Sequence, residues 1–438
     1  MATEFWLLLC LMTSTVTVVA PQQSQVGSKD WVLNYLNTLS QAKNRKLAAE
    51  PRVACQWKYL KFLWPCDYVR DFFLERGMYV PADSVLAGVQ VYNNETFVTV
   101  HRASSTVPAG LNKVVLKDGE SLLQPYPNLK DNEVGKCSNL QYPIASVTDP
   151  YTGCLYVIDI GGVKPFSAPS KLGVSAGNQK QTCPPKLVVL DTKKNGAFVG
   201  SYDLDSAEPR STSYLKKIVL YHGDENKTRV THAFITDPGN QRLIVFDFDT
   251  NTSHSFDHNS MECGSAENST TESKYSTRGS ISGIAVDPEG EYVYYVCRDS
   301  QQVSQIPTAV LRDKLGDFAG SHRFVGNATT QTDSLVCGKH GLYYADVDAS
   351  TVYRWNITKD MEAQNVTKKE VIMKNQEVIF KIGTGDYLID SLSLDNNGTL
   401  WLAQRAINPN SSGTKGNNNI IYRQFVNDTN NVPPVPKK

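Results

Sequence analysis

A hairpin pattern that recurs along the chain is the feature that most constrains the fold. Its clearest copy, residues 142–162 (YPIASVTDPYTGCLYVIDIGG), has two apolar, β-branched runs joined by a turn at Asp149-Pro150 and Gly153. Proline fixes the φ angle that a turn requires, glycine accepts a positive φ, and aspartate bonds its own backbone. A single hairpin leaves its apolar faces uncovered, so the copies must pack against one another.

Six copies of this pattern can be recognised. They begin at Leu86, Tyr142, Ala233, Ser282, Ser334 and Ser391. Most neighbouring copies have their turns 50 to 57 residues apart, and strand-like segments such as Lys186–Asp191 lie between them. A repeat of about 40–50 residues with roughly four short strands is typical of a β-propeller. We therefore predict an all-β fold, a six-bladed β-propeller with a short N-terminal helical extension.

The chain is expected to have four parts. Residues 1–20 contain an apolar run too short to span a bilayer, which favours a cleaved signal peptide. Residues 21–54 form an N-terminal extension that is partly helical, because the apolar residues of Ser28–Leu47 lie near helical spacing. Residues 55–427 form the propeller and residues 428–438 a flexible tail. A strand near Trp57–Leu63 is expected to complete the last blade and close the ring.

N-linked glycosylation motifs are frequent in the chain. Ten N-x-[ST] motifs occur, at Asn94, Asn226, Asn251, Asn268, Asn327, Asn356, Asn365, Asn397, Asn410 and Asn427. Such motifs are used in the secretory pathway. Together with the N-terminal signal they predict a secreted, extracellular glycoprotein.

The cysteines agree with this location. Cys10 would leave with the signal, and eight candidates for disulfides remain: Cys55, Cys66, Cys137, Cys154, Cys183, Cys263, Cys297 and Cys337. An even number in an oxidising compartment favours disulfides. Cys55 and Cys66 flank one short segment and could form a local bridge, and the other pairings stay open. No C-x-x-C pair occurs, so we predict no zinc site.

Charge and motifs exclude several functions. The 44 Lys and Arg balance the 44 Asp and Glu, whereas nucleic-acid and membrane-surface binders carry a basic excess. The G-x-S-x-G at residues 173–177 lies between loop-like segments, so it is not a nucleophile elbow. No second long apolar stretch provides a membrane anchor. A small molecule is the expected partner, with no cofactor, and the oligomeric state is not predicted.

Several motifs resemble the yellow/major royal jelly protein family. They are WKYLKF, the segment 68–114, LLQPYPN, YPIASVTDPYTGCLYVIDIGG, CPPKLVVLDT and LDNNGTLWLAQRAI, which occur in the same order over roughly Trp57 to Phe425. The resemblance implies a secreted six-bladed propeller. Some members bind serotonin, catecholamines or histamine in the central channel. Others are linked to dopachrome conversion in pigmentation, and others are nutritional or structural.

The resemblance also implies where a ligand lies. Matched positions place Asp390, Ser391 and Arg405 near the ligand, with further candidates at Ser282, Asp333, Arg102 and Asp159. The carboxylate of Asp390 could pair with a ligand ammonium. Alternatively it forms a salt bridge with Arg405 and meets no ligand. The sequence departs from the family pattern at His101-Arg102-Ala103, at Leu155-Tyr156, and at Arg405 and Ile407, so the ligand could differ.

Three functions remain open from the sequence. The first is binding of a small aromatic ligand or biogenic amine in the channel, the second a dopachrome-converting enzyme, and the third a structural or nutritional role. An enzyme requires an acid–base pair. Asp390 could act as base, but only His101 among the histidines lies at a possible matched position, so no catalytic residue is assigned. Asp159, Asp333 and Asp390 would permit a calcium site, although we predict no metal.

Overall fold

Short strands rich in valine, isoleucine, leucine and tyrosine make up most of the regular structure. The structure is a computed structural model, and it describes residues 50–102, 105–162, 183–204, 213–223, 228–263, 279–298, 300–347, 351–382, 387–407 and 417–429. The chain divides into two units, residues 1–47 and 48–438. The expected signal peptide, the helix at Ser28–Leu47 and the G-x-S-x-G segment lie outside the described residues.

The described residues form 24 strands. The first eight are β1 (Arg52–Trp57), β2 (Val85–Tyr92), β3 (Glu95–His101), β4 (Leu111–Lys117), β5 (Glu120–Pro125), β6 (Pro143–Thr148), β7 (Cys154–Asp159) and β8 (Lys186–Asp191). The next eight are β9 (Ala197–Asp203), β10 (Ile218–His222), β11 (Val230–Asp237), β12 (Arg242–Asp247), β13 (Thr252–Asp257), β14 (Ile281–Val286), β15 (Tyr292–Cys297) and β16 (Gln302–Pro307). The last eight are β17 (Arg323–Asn327), β18 (Thr332–Gly338), β19 (Gly341–Asp346), β20 (Thr351–Trp355), β21 (Gln376–Lys381), β22 (Tyr387–Leu394), β23 (Thr399–Ala406) and β24 (Asn419–Phe425).

In the residues that the structure describes, four short α-helices lie in the connections between strands. They are α1 (Asp67–Glu75), α2 (Thr308–Arg312), α3 (Phe318–Ser321) and α4 (Ile357–Gln364). None of the helices in the described ranges is long and apolar enough to cross a membrane.

The strands form six four-stranded antiparallel sheets, one for each blade. Blades 1 to 5 are β2–β5, β6–β9, β10–β13, β14–β17 and β18–β21, and blade 6 contains β22, β23, β24 and β1. The first strand of each blade contacts the first strands of its two neighbours, and β22 contacts β2, which completes the ring. Apolar side chains of adjacent sheets share buried clusters, as Ile158 of blade 2 and Ile244 of blade 3 do. The predicted six-bladed propeller is confirmed.

Strand β1 closes the ring. It pairs with β24 from Arg52–Arg423 to Trp57–Asn419, so an early segment completes the last blade as predicted. The expected bounds are wrong in two respects. The strand ends at Trp57, the residue at which the predicted strand begins, and it starts at Arg52, before the predicted start of the propeller at residue 55. The buried indole of Trp57 donates a hydrogen bond to the carbonyl oxygen of Ser121 at 2.7 Å. The closing strand is therefore tied to blade 1 as well as to blade 6.

One of the six sequence copies is out of phase with the others. Five copies are the first and second strands of a blade, but the copy at Ala233 is the β11–β12 hairpin, the second and third strands of blade 3. The first strand of this blade is β10, which has five residues. Strands β11 and β12 are longer and almost wholly buried, so their apolar pattern is the stronger one.

Two disulfides join parts of the propeller. Cys137 pairs with Cys183, and Cys263 pairs with Cys297. The local bridge between Cys55 and Cys66 is wrong. Cys55 lies within β1, held opposite Ile421, whereas the exposed Cys66 precedes α1. Among the described cysteines, Cys154 and Cys337 are also free.

Candidate functional site

A cavity of about 170 Å³ follows the propeller axis. All six first strands line it, mainly with small or apolar side chains such as Ala87, Ala145 and Ala285. Gly88 also lines it, and a Cβ atom there would lie 2.9 Å from Oγ1 of Thr99, so glycine is required at this close approach. A cavity of about 150 Å³ in another protein holds benzene, so this one can hold a small aromatic ring.

Bulges place polar residues at one end of the axis. In β14, β18 and β22 the pairing with the next strand shifts near the start of the strand, and the residues skipped include Ser282, Asp333 and Asp390. A bulge leaves a residue unpaired and redirects its side chain. Three of the residues implied by the family resemblance therefore lie at equivalent positions of three blades.

These residues belong to a larger polar group, which we call the axial cluster. It comprises His101, Tyr142, Lys216, Lys217, Ser282, Arg298, Asp333, Asp390 and Arg405. The hydrogen-bonding contact of His101 with Tyr142 links blades 1 and 2, and the contacts of Lys216 and Lys217 link blade 3 with blades 4, 5 and 6. The starts of the six first strands meet at the same end of the ring.

The ammonium of Lys216 binds both carboxylate oxygens of Asp333. Its Nζ lies 2.7 and 2.6 Å from them and 2.7 Å from Oγ of Ser282, whose hydroxyl also donates to Asp333. Burial raises the pKa of Asp333, but the charges of Lys216 and Arg298 outweigh burial and hold that pKa well below its usual range. Burial lowers the pKa of Lys216 to about 8 despite the attraction of Asp333.

Asp390 forms a salt bridge with Arg405. The guanidinium Nε donates to Oδ2 of Asp390, and both side chains are largely buried, with exposed fractions of 15% and 13%. Lys217 donates to the backbone carbonyl oxygen of Asp390 and also lines the cavity. Burial lowers the pKa of Lys217. The Asp390–Arg405 salt bridge, the alternative to an ammonium site, is thus present in the structure.

His101 and Tyr142 lie beside these charges. Nδ1 of His101 is 3.3 Å from the hydroxyl of the fully buried Tyr142. Nε2 of His101 is buried and has no hydrogen-bond partner among the residues that the structure describes. Burial, and next the nearby Arg405, lowers the pKa of His101 to about 4, so its ring is neutral at physiological pH. Nε2 is therefore a buried atom that the described residues leave unsatisfied, and of the axial cluster only Lys217 is among the residues that line the cavity.

Arg102 and Asp159 are engaged elsewhere. Arg102 is buried and donates to four backbone carbonyl groups, those of Val107, Pro108, Leu140 and Gln141. Asp159 is fully buried and accepts hydrogen bonds from three backbone N–H groups, those of Gln141, Tyr142 and Gly161. Both side chains hold the connection between blades 1 and 2. Ser391, in contrast, lines the cavity, and its Oγ accepts the backbone N–H of Val89 at 3.4 Å.

Sequence reasoning did not identify Lys216, Lys217 and Arg298. The two lysines directly precede β10, the first strand of blade 3. The pattern at Ala233, which is stronger, conceals this short first strand and the polar residues at its start. Charged residues just before a short apolar run between residues 162 and 233 are the signal that points to the two lysines, whereas Arg298 follows a strand and has no such signal.

A second polar arrangement lies at the other end of the cavity. Nε2 of His222 is 3.0 Å from Oδ1 of the buried Asp149, and the ring of Tyr151 contacts the His222 ring edge-on at 4.9 Å. The turn aspartates Asp237 and Asp287 likewise pair with Arg242 and Lys368. The Asp149–His222 pair belongs to this series, in which an aspartate in a hairpin turn pairs with a histidine, arginine or lysine side chain.

Metal and glycosylation candidates can also be placed. In the described ranges no group of three or more His, Cys, Asp or Glu could hold a metal ion. Six of the ten glycosylation motifs have exposed asparagines: Asn94, Asn251, Asn327, Asn365, Asn397 and Asn427. Asn356 is half-buried, and Asn226, Asn268 and Asn410 lie outside the described residues.

Comparison with known proteins agrees with the geometry. The family model described as Major royal jelly protein matches residues 173–427, more than half of the chain. Dopaminechrome tautomerase of Drosophila melanogaster is 28% identical over 49% of this chain, and this chain spans only 45% of that protein. Major royal jelly protein 9 of Apis mellifera is 23% identical, with 90% of this chain and 92% of the relative covered. Protein yellow of Drosophila melanogaster is 24% identical over 75% of this chain and 61% of its own length. The chain therefore belongs to the yellow/major royal jelly protein family.

Proposed function

We propose that this protein binds a small quinone of the dopachrome type at the end of its axial cavity where the axial cluster lies, and catalyses its tautomerisation outside the cell. The observation that carries the proposal is the buried, unsatisfied Nε2 of His101 beside a cationic group of side chains. A buried polar atom without a partner costs about 1–3 kcal/mol. A ligand that supplies the missing partner accounts for it. The relative named dopaminechrome tautomerase supports this reaction class.

The chemistry requires a proton to leave a ring carbon and a proton to reach a quinone oxygen. When Nδ1 of His101 donates to the Tyr142 hydroxyl, Nε2 is bare and accepts the proton from carbon. The lowered pKa of His101 keeps the ring neutral before the transfer. The ammonium of Lys217, which lines the cavity, stabilises the negative charge that develops on the oxygen. Tyr142 acts as a positioning residue for the imidazole.

Binding of an amine without turnover has less support. The carboxylate of Asp390, expected to hold an ammonium, is already paired with Arg405, and that of Asp333 with Lys216. Cationic side chains also outnumber carboxylates in the axial cluster, so the positive potential there disfavours a ligand that carries an ammonium group. Secretion and glycosylation accompany the proposal, on the support of the exposed N-x-[ST] motifs and the two disulfides.

The test is the decay of dopachrome, followed by its visible absorbance, with the purified secreted protein. His101→Asn is expected to lower kcat at least 100-fold, the lower end of what general base catalysis contributes. His254→Asn is the matched control, because His254 lies on β13, the outermost strand of blade 3, and its Nε2 lies 2.9 Å from the Leu311 carbonyl oxygen, away from the cavity.

A folded wild-type protein that leaves the spontaneous decay unchanged would overturn the enzymatic proposal. Calorimetry with serotonin, dopamine and histamine then decides between the other two functions. Measurable heat of binding would support a ligand-binding protein, and its absence a structural or nutritional role.

A further inference from the structure

The N-x-[ST] motifs that the structure describes are concentrated at one end of the ring. Six of their seven asparagines lie at the end where the first strand of each blade finishes, in the connections after β2, β12, β20, β22 and β24: Asn94, Asn251, Asn356, Asn365, Asn397 and Asn427. The seventh, Asn327, pairs with Gln302 at the opposite end. Sugars at the end with six motifs would leave the axial cluster uncovered.

A polar groove of about 420 Å³ lies between two of these motifs. Asn356 and Asn427 both line it, together with polar side chains that include Arg354, Lys359 and Glu362. The volume lies in the range of small-ligand sites, about 300–1,000 Å³. Such a lining suits a molecule that is rich in hydroxyl and amide groups.

Three side chains of the groove are available for hydrogen bonds. Those of His340, Lys359 and Glu362 are exposed and make no hydrogen bond or salt bridge with the rest of the described chain. An ammonium donates three hydrogen bonds and a carboxylate only accepts them. The groove therefore offers both donors and acceptors, which the hydroxyl and acetamido groups of a sugar require.

Asn427 is held firmly at the edge of this groove. Its backbone N–H donates to the carbonyl oxygen of Gly398 at 3.0 Å. The next residue, Asp428, is buried and accepts hydrogen bonds from the Tyr343 hydroxyl at 2.9 Å and from the backbone N–H of His340. A sugar joined to Nδ2 of Asn427 starts in the groove from a fixed point, so little conformational entropy is lost when it binds there.

Asn356 is the less suitable attachment point of the two. It is half-buried, and its Oδ1 accepts the backbone N–H of Lys359 at 3.0 Å as the N-cap of α4. This bond holds the side chain against the first turn of the helix. The side chain of Asn427 is exposed and forms no such bond with the described residues.

We propose that Asn427 carries an N-linked glycan and that the groove binds its first N-acetylglucosamine units. The N-glycosidic bond forms during secretion, when Nδ2 of Asn427 displaces the diphosphate of a lipid-linked oligosaccharide from C1 of the sugar and loses a proton. Lys359 then donates to hydroxyl or acetamido oxygens, and Glu362 accepts from hydroxyl or amide groups. The inference rests on the proposed function only in that the protein is secreted and glycosylated.

The test is site-resolved mass spectrometry of the secreted protein, before and after native digestion with an endoglycosidase that cuts between the first two N-acetylglucosamine units. Asn427 is expected to be glycosylated. Its glycan is expected to be cut at least about tenfold more slowly than those on Asn94 and Asn251, the protection that two hydrogen bonds provide. Digestion after denaturation should abolish the difference.

Asn94 and Asn251 are the matched comparisons. Both are exposed in hairpin turns, neither lines the groove, and their φ angles of 64° and 53° resemble the 53° of Asn427.

The double variant Lys359→Ala, Glu362→Ala is expected to remove the protection of the Asn427 glycan. Both side chains are exposed, so the fold should not change. Lys369→Ala is the control, because this exposed lysine lies in the same connection between β20 and β21 but does not line the groove. It is expected to keep the slow cutting at Asn427.

An unmodified Asn427 in a protein that is glycosylated at Asn94 or Asn251 would overturn the inference and leave secretion and glycosylation standing. A secreted protein without glycans at any motif would reject glycosylation as a whole. Equal cutting rates at Asn427 and Asn251 in the folded wild type would overturn binding in the groove. Slow cutting that persists in the double variant would do the same.

Discussion

The contact between Lys216 and Asp333 offers the sharpest test of the axial cluster. Asp333→Asn removes a carboxylate that accepts hydrogen bonds from Lys216 at 2.7 and 2.6 Å and from Ser282. The side chains of Asp333 and Lys216 are 9% and 16% exposed, so water cannot replace the lost partner well. Breaking a buried pair by removing one member costs about 3–5 kcal/mol. The substitution also raises the net charge of the cluster, which has four cationic side chains and two carboxylates, from +2 to +3.

We expect the free energy of unfolding to fall by about 4 kcal/mol, measured by guanidinium chloride titration with tryptophan fluorescence. Lys216→Met is expected to cost less, about 2 kcal/mol, because Arg298 and Lys217 still neutralise Asp333. The double variant should therefore be more stable than the sum of the two losses predicts, as a double-mutant cycle would show.

The control is Asp249→Asn, which breaks an exposed salt bridge with Arg229. Exposed pairs contribute about 0–1 kcal/mol, so little change is expected. If Asp333→Asn were as stable as this control, the buried Lys216–Asp333 pair would not contribute to the stability of the fold. If ligand binding were then lost as well, Asp333 would be a ligand-contacting residue instead.

Three further predictions concern pH, a disulfide and ring closure. Burial, followed by the charge of Arg405, lowers the pKa of His101 to about 4. The unfolded chain therefore binds a proton near pH 6.5 and the folded protein only near pH 4, so this residue should lower the free energy of unfolding by about 3 kcal/mol between pH 7 and 4. His101→Asn should show a correspondingly smaller loss in denaturant titrations, and a pH profile identical to that of wild type would contradict the assignment. Replacing both Cys137 and Cys183 by serine opens a loop with a sequence separation of 46 and should lower the free energy of unfolding by about 4 kcal/mol. A melting temperature equal to that of wild type by calorimetry, under both reducing and oxidising conditions, would contradict this. Trp57→Ala should lower the free energy of unfolding by about 3–5 kcal/mol, because it leaves a cavity where β1 meets blade 1. A protease should then cut near residue 50 first. Cleavage unchanged from wild type would argue against β1 as the strand that closes the ring.

Much of the fold could be predicted because its signals are local. Each turn such as Asp149-Pro150 and each run such as Lys186–Asp191 carries its own conformational preference, and the segment 186–191 became strand β8 with the expected bounds. The error at Ala233 has the same origin. A short first strand preceded by lysines gives a weaker local pattern than the buried β11–β12 pair.

The amino-acid sequence by itself determined the strands, their grouping into six repeats and the family to which the chain belongs, since turn chemistry and alternating burial act over a few residues. Only the tertiary structure decided the partners of Asp333 and Asp390, the disulfide pairs and the cation excess. Lys216 lies 117 positions from Asp333, and Lys217 lies 173 positions from Asp390. Closure of the ring brings the starts of all six first strands to one end of the axis, and no local pattern encodes which side chains then meet.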